Sequence, residues 1–250
     1  MKNKIKVAII GTGNCATSLV EGVQYYGDNP DADTGLMKQD IGGYLGDSIE
    51  FVCGYDIDSR KVEKGLGEAL RQRPNCAFQL VDQIKSTAPV YKSPVIDGYA
   101  SLMDNYPEND RFLVDEDLRN STDVNRGIDW SAKLDREWKD RIIAQLKEHE
   151  VEVLVNYLPV GSQKTTEFWA EICLETGISF VNCIPVFIAS DPVWEKRFID
   201  AGIPLIGDDM RSQFGASILS QMLQELAFER GHVVKAHIQR NVGGNTDFLN

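Results

Sequence analysis

Apolar residues fall into short unbroken runs that alternate with stretches of helical spacing. Ile5–Ile10 predicts a strand and Ala16–Tyr26 a helix, and Ile49–Tyr55 with Ser59–Leu70 repeats the pair. Val151–Tyr157, Ile178–Ile184 and Ile203–Ile206 continue the series, each with a helical stretch behind it. Strands that are apolar throughout belong to a parallel sheet covered by helices on both sides, so the pattern predicts an α/β fold. Asp191-Pro192 supplies an N-cap and a proline at the first helical position. Over about residues 212–230, the fourfold spacing of Phe214, Ile218, Met222 and Leu226 predicts a helix that buries them, with Gly231 ending it. His232–Val242 reads as a last strand-like run before Gly243-Gly244-Asn245.

Two segments interrupt this alternation. Residues 27–48 form an insertion between the first helix and the second strand. Residues 71–130 are polar, rich in Asp and Asn and weakly periodic, which predicts a stretch that wraps the surface or carries function. Trp130, Trp138 and the charges of Lys133–Lys147 predict an amphipathic helix with a solvated face.

Charge narrows the partners. The 250 residues carry a formal net charge of −12, which repels nucleic acid and anionic membranes but leaves small phosphorylated metabolites open. Five scattered cysteines without a CxxC pair suit a reducing cytoplasm, and three histidines show no metal-ligand spacing, so no metal is expected. No apolar run approaches the roughly 18 residues of a membrane span or resembles a secretory signal. A cytoplasmic protein is the expectation.

The first strand runs into Gly11-Thr12-Gly13-Asn14-Cys15-Ala16, a GxGxxA. Such a sequence between a strand and a helix is the fingerprint of a Rossmann-like, doubly wound parallel sheet that binds a dinucleotide. Gly11 permits the tight turn, Gly13 lets a pyrophosphate approach the backbone, and Ala16 allows close helix–strand packing. The helix offers free amides and the positive end of its dipole to that pyrophosphate. Asp56, ending the second strand, is the candidate acceptor for the adenosine ribose hydroxyls and favours NAD over NADP; the bland alternative is a helix N-cap, which Asp58 or Ser59 can also provide.

Beyond the fingerprint, Gly13-Asn14-Cys15-Ala16-Thr17-Ser18-Leu19-Val20-Glu21-Gly22-Val23 with Tyr25-Tyr26 resembles the first loop and helix of the bacterial and archaeal myo-inositol-1-phosphate synthases. Gly35-Leu36-Met37, Pro94 with Asp97-Gly98, and Tyr157-Leu158-Pro159-Val160-Gly161-Ser162 are similar to that family too. So are the blocks from Pro185 to Trp194, from Gly207 to Gln213 and from Asn241 to Asn250.

The resemblance implies a redox-neutral reaction with bound NAD. Glucose 6-phosphate is oxidised at C5, enolised, closed by an intramolecular aldol step and reduced again to inositol phosphate. It implies cofactor contacts at Gly11, Gly13, Asn14, Cys15, Ala16, Asp56, Pro159, Ser212 and Asp247. It implies substrate-phosphate contacts at Ser212, Gln213 and Asn245, and catalytic roles for Asp209, Asn241 and Asn245. Taken by themselves, Ser212 is equally a helix N-cap and Gly243-Gly244 equally a hairpin turn. Cys183 reads as a packed thiol rather than a nucleophile.

Family members continue past the equivalent of residue 250 with a segment that assembles a homotetramer and carries the lysines assigned to proton transfer; none of those lysines has an equivalent here. The expected division is therefore an NAD-binding domain over residues 1–240 and, over 241–250, the start of a truncated catalytic and oligomerisation domain. The 250 residues are expected to bind NAD and to cyclise sugar poorly by themselves. A plain NAD-dependent dehydrogenase and a non-catalytic NAD-binding protein are the alternatives.

Overall fold

The computed structural model describes residues 4–121, 134–210 and 215–240. β1 (Ile5–Ile10) leads into α1 (Asn14–Asp28), and β2 (Ile49–Asp56) is followed by the short α2 (Leu66–Ala69) and β3 (Val90–Lys92). After α3 (Glu116–Ser121) come α4 (Leu134–Glu148), β4 (Val153–Asn156), α5 (Gln163–Thr176), β5 (Ser179–Asn182), α6 (Pro192–Ala201), β6 (Leu205–Ile206) and α7 (Ala216–Glu229). The six strands are all parallel in the order β3-β2-β1-β4-β5-β6. This is the Rossmann-like, doubly wound sheet that the strand pattern and the glycine fingerprint predict, with its switch point between β1 and β4.

Alternation along β1 builds two cores. Ala8 and Ile10 pack with Cys53, Tyr55, Leu154, Phe180 and the helical residues Ile142, Leu146, Trp169, Ile172 and Phe198 on one face. Ile9 points to the other face, with Ala16, Val20, Leu66, Ala69, Leu70 and Val90. The expected amphipathic helix is α4, Leu134–Glu148, with Ile142 and Leu146 fully buried; Trp130 and Lys133 lie outside the described residues. No helix among the described residues is long and apolar enough to cross a membrane.

Four expectations need correction. The helix expected over Ser59–Leu70 shrinks to Leu66–Ala69, because the amides of Glu63, Leu66 and Gly67 donate to the carbonyls of Val90, Ala88 and Ser86 instead of to their own turn. Parallel pairing with β2 makes Val90–Lys92 the edge strand β3 inside the polar stretch, three residues too short to register as a pattern. The helix over about 212–230 forms as α7, but it buries none of its residues: Met222 and Leu226 are 58% and 52% exposed. Phe214 lies outside the described residues. The strand-like run from His232 has no strand over 232–240, and Asn241 and Val242 lie outside the described residues.

Candidate functional site

The loop from β1 to α1 is built by contacts that tolerate no side chain at one glycine and leave open space at another. Gly11 has φ +82°, and a β-carbon there would lie 2.5 Å from the Tyr157 carbonyl oxygen at the end of β4. A β-carbon on Gly13 would meet nothing within 4 Å. Gly13 is also the N-cap of α1, and no side chain caps that helix. The first amides of a fifteen-residue helix therefore face outward at a point where the backbone is bare.

These residues border a cleft at the C-terminal ends of β1, β2 and β4. It gathers Gly11, Gly13, Asn14, Cys15, Asp56 and Pro159 from the candidate cofactor residues, while Ala16 is buried beneath them. Open parallel sheets bind ligands in this position.

Asp56 is held more completely than its place in the sequence suggests. Its Oδ2 accepts from the Thr12 amide at 2.9 Å and from the Thr12 hydroxyl. Its Oδ1 accepts from the amides of Ile57 at 2.7 Å and Asp58 at 3.0 Å. Burial alone would raise this carboxyl, but the Lys61 charge and the hydrogen bonds from Thr12 and Asp58 outweigh it and hold the group below its ordinary value. The second acid, Asp58, is fully buried; it is ion-paired to Arg60 at 2.5 Å and accepts from the Leu113 amide.

Lys61, absent from the sequence expectations, lines the same cleft and is only 1% exposed. Its Nζ donates to the Thr12 carbonyl at 2.9 Å and to Asn75 Oδ1 at 2.8 Å, and lies 3.8 Å from Asp56 Oδ2. The Asn75 amide donates to the same carbonyl at 2.9 Å. A lysine in a polar loop carries no sequence signal for burial; only the fold, by turning Lys61 and Val62 inward, provides it.

The Asp97-Gly98 pair also acquires a physical role. Asp97 accepts from the amides of Lys164 at 2.6 Å and Thr165 at 3.0 Å, and from the Thr165 hydroxyl at 2.6 Å. It thereby caps α5 from a distant loop, in place of the local N-cap Ser162, whose side chain makes no cap hydrogen bond. The start of α5 also borders the cleft, so one of its two helix N-termini is filled by a carboxylate of the chain itself while that of α1 has no side-chain cap.

Across the ends of β4, β5 and β6 runs a row of polar side chains. Asn156 donates to Asn182 Oδ1 at 2.9 Å, and Asn182 donates to Asp208 Oδ1 at 2.8 Å. Asp208 further accepts from the amides of Ile188, Ala189 and Ser190 at 2.9–3.0 Å, folding the loop before α6 around itself. Burial by itself would raise the Asp208 carboxyl, but these bonds lower it. Its neighbour Asp209 is exposed, with φ +67°, and leads to Met210, which lies beside Asn14, Cys15 and Tyr157. The loop bearing Asp209 thus comes to the edge of this cleft. Ser212, Gln213, Asn241, Asn245 and Asp247 lie outside the described residues.

Two other features bear on chemistry. Cys183 is half-buried rather than buried, and burial pushes its thiol up to about 11, which disfavours the nucleophilic thiolate. Among the described residues no group of His, Cys, Asp and Glu could hold a metal ion.

No protein-family model matches the sequence. The chain is 41% identical over 248 residues to the inositol-3-phosphate synthase of Corynebacterium glutamicum, covering 98% of this chain and 61% of that protein. It is 40% identical over 251 residues to the inositol-3-phosphate synthase of Mycolicibacterium smegmatis, covering 99% and 62%. The crystal structure of Ari2 superposes with a TM-score of 0.77 at 27% identity, covering 99% of this chain and 67% of that one. The chain therefore spans about three fifths of the length of the curated relatives it matches.

Proposed function

We propose that this chain, 41% and 40% identical over nearly its whole length to two inositol-3-phosphate synthases, belongs to their family and holds NAD for the redox-neutral conversion of glucose 6-phosphate into 1D-myo-inositol 3-phosphate. The observation that carries the cofactor reading is the pairing of a bare Gly13 with an uncapped α1 N-terminus on a cleft whose other helix start is filled by Asp97. A pyrophosphate has one set of helix-terminal amides to meet there.

NAD, when bound, supplies the hydride acceptor and donor that a redox-neutral cyclisation requires. The chain's own residues do the holding. The first amides of α1 neutralise pyrophosphate charge, and Gly13 admits it to contact distance. The Asp56 charge lies where the adenosine ribose belongs and opposes a 2′-phosphate. Leu158 and Pro159 supply apolar wall on the β4 side and keep water from the reacting face. Asp209, Ser212, Gln213, Asn241 and Asn245 are assigned to the sugar-phosphate side by family resemblance, Ser212 and Asp247 are assigned by it to the cofactor, and a homotetramer is the proposed assembly of the full-length form.

The test is a titration of the purified chain with NAD, followed by glucose 6-phosphate with periodate-releasable phosphate and NADH absorbance read together. Saturable NAD binding with no net NADH is the expected result. Accumulating NADH would make the protein a dehydrogenase, and a chain that ignores NAD would overturn the cofactor reading.

A further inference from the structure

We infer that Lys61 is a specificity-determining residue of the cleft: the buried Asp56–Lys61 pair as a unit, rather than Asp56 alone, sets the preference between a ribose with a free 2′-hydroxyl and one bearing a 2′-phosphate. The inference rests on the reading of the cleft as a dinucleotide site.

A lysine is almost never fully buried unless its charge is compensated. Lys61 is buried beneath the glycine loop, with Asp56 as the anion beside it at 3.8 Å. Its two short hydrogen bonds, to the Thr12 carbonyl and Asn75 Oδ1, use two of the three ammonium donors. Asp56 Oδ2 is in ion-pair range of the same nitrogen, beyond hydrogen-bond distance. Both residues line the cleft together with Gly11 and Gly13.

The acid is equally committed. Four protein donors occupy its two oxygens, from the Thr12 amide and hydroxyl and the Ile57 and Asp58 amides. A carboxylate offers about four lone-pair positions, so a ribose hydroxyl finds none vacant unless a donor moves aside. What Asp56 presents to an incoming nucleotide is chiefly its charge, and that charge is compensated at close range by Lys61. A 2′-phosphate placed there meets both an anion and a cation, which lie 3.8 Å apart, within walls where charges act more strongly than in water.

Neutralising either partner therefore shifts the preference, in opposite directions. Asp56→Asn leaves the ammonium uncompensated and favours the phosphorylated ribose. Lys61→Gln leaves the carboxylate uncompensated and disfavours it further. An acid that acted alone would make the lysine change neutral for discrimination.

The experiment measures dissociation constants of NAD and NADP for the full chain and for Asp56→Asn, Lys61→Gln and Lys61→Arg, plus the Asp56→Asn/Lys61→Gln double variant. Thermal melts accompany each titration. The NADP-to-NAD affinity ratio is expected to rise by about tenfold in Asp56→Asn and to fall by about threefold in Lys61→Gln. It should stay near the parent value in Lys61→Arg and return to within about threefold of it in the double variant. If Asp56→Asn does not fold, the contrast between Lys61→Gln and Lys61→Arg decides by itself. A folded Lys61→Gln with an unchanged ratio overturns the inference while leaving NAD binding intact. A parent chain that binds neither nucleotide overturns the cofactor reading, and this inference with it.

Discussion

The α-carbon of Gly98 lies so close to Ser162 that a β-carbon on it would overlap the serine hydroxyl oxygen. Gly98 also has φ +78°, a conformation that an L side chain adopts only under strain. The two residues join the Asp97 loop to the start of α5 along the wall of the cleft. Gly98→Ala should cost about 1–3 kcal/mol of stability and weaken NAD, because relief requires moving Ser162 or withdrawing Asp97 from its cap. Urea unfolding and an NAD titration measure both; an alanine variant as stable as the parent would sink this account.

The two fingerprint glycines should separate stability from binding. Gly11→Ala drives a β-carbon into the Tyr157 carbonyl, a backbone group that cannot swing away, and should destabilise the fold by several kcal/mol, about the upper end of point-mutation effects. Gly13→Ala meets nothing in the protein and should cost no more than about 1 kcal/mol, the loss of a glycine N-cap, while weakening NAD at least about tenfold. Melting curves and NAD titrations on the two variants distinguish them, and equal NAD affinity in Gly13→Ala would remove the pyrophosphate from this loop.

Acid should loosen the C-terminal ends of β5 and β6 through Asp208. Its carboxyl is depressed in the folded protein, despite burial, by hydrogen bonds from Asn182 and three amides. A depressed folded value means that the contribution is fully present above the unfolded aspartate value of about 3.9 and is lost as pH falls through the folded one. Asp208→Asn should therefore lie below the parent in melting temperature at neutral pH, with the gap narrowing as pH falls below about 4. A gap independent of pH would contradict the assignment.

Leu226 and Leu154 should respond differently to the same truncation. Leu226 on α7 is 52% exposed, whereas Leu154 on β4 is fully buried among the central strands. Leu226→Ala should change the stability of this chain by about 0.5 kcal/mol or less, and Leu154→Ala should cost about 2–5 kcal/mol. Denaturant midpoints decide, and a large loss from Leu226→Ala would mean that α7 is packed after all.

What the sequence shows and what it hides divide along physical lines. Continuous apolar runs made β1, β2, β4 and β5 readable, and Asp191 with Pro192 located the start of α6, whose cap bonds run to Val193 and Trp194. The spacing of Gly11, Gly13 and Ala16 identified the loop, since close packing there demands small residues. β3 was hidden because three residues make no period, and residues 59–65 misled because their helical spacing yields to cross-strand bonds. α7 displays the periodicity without the burial, since periodicity records a preference for a partner, not its presence. Lys61, Asn75 and Asp208 were illegible for another reason: charged and amide residues in polar stretches look alike whether the chain turns them outward or folds them under a loop.

The side-chain row from Asn156 through Asn182 to Asp208 has a consequence for variation in this protein. Three strand ends share one line of hydrogen bonds, so a substitution at any of the three alters the partner environment of the others. Effects at Asn156 and Asp208 should fail to sum although no direct bond joins them, because both act on the single amide of Asn182. Changes at the end of β4, which borders the cleft, and beyond the end of β6 would then be epistatic, and sequences of this type would have to explore the two strand ends together.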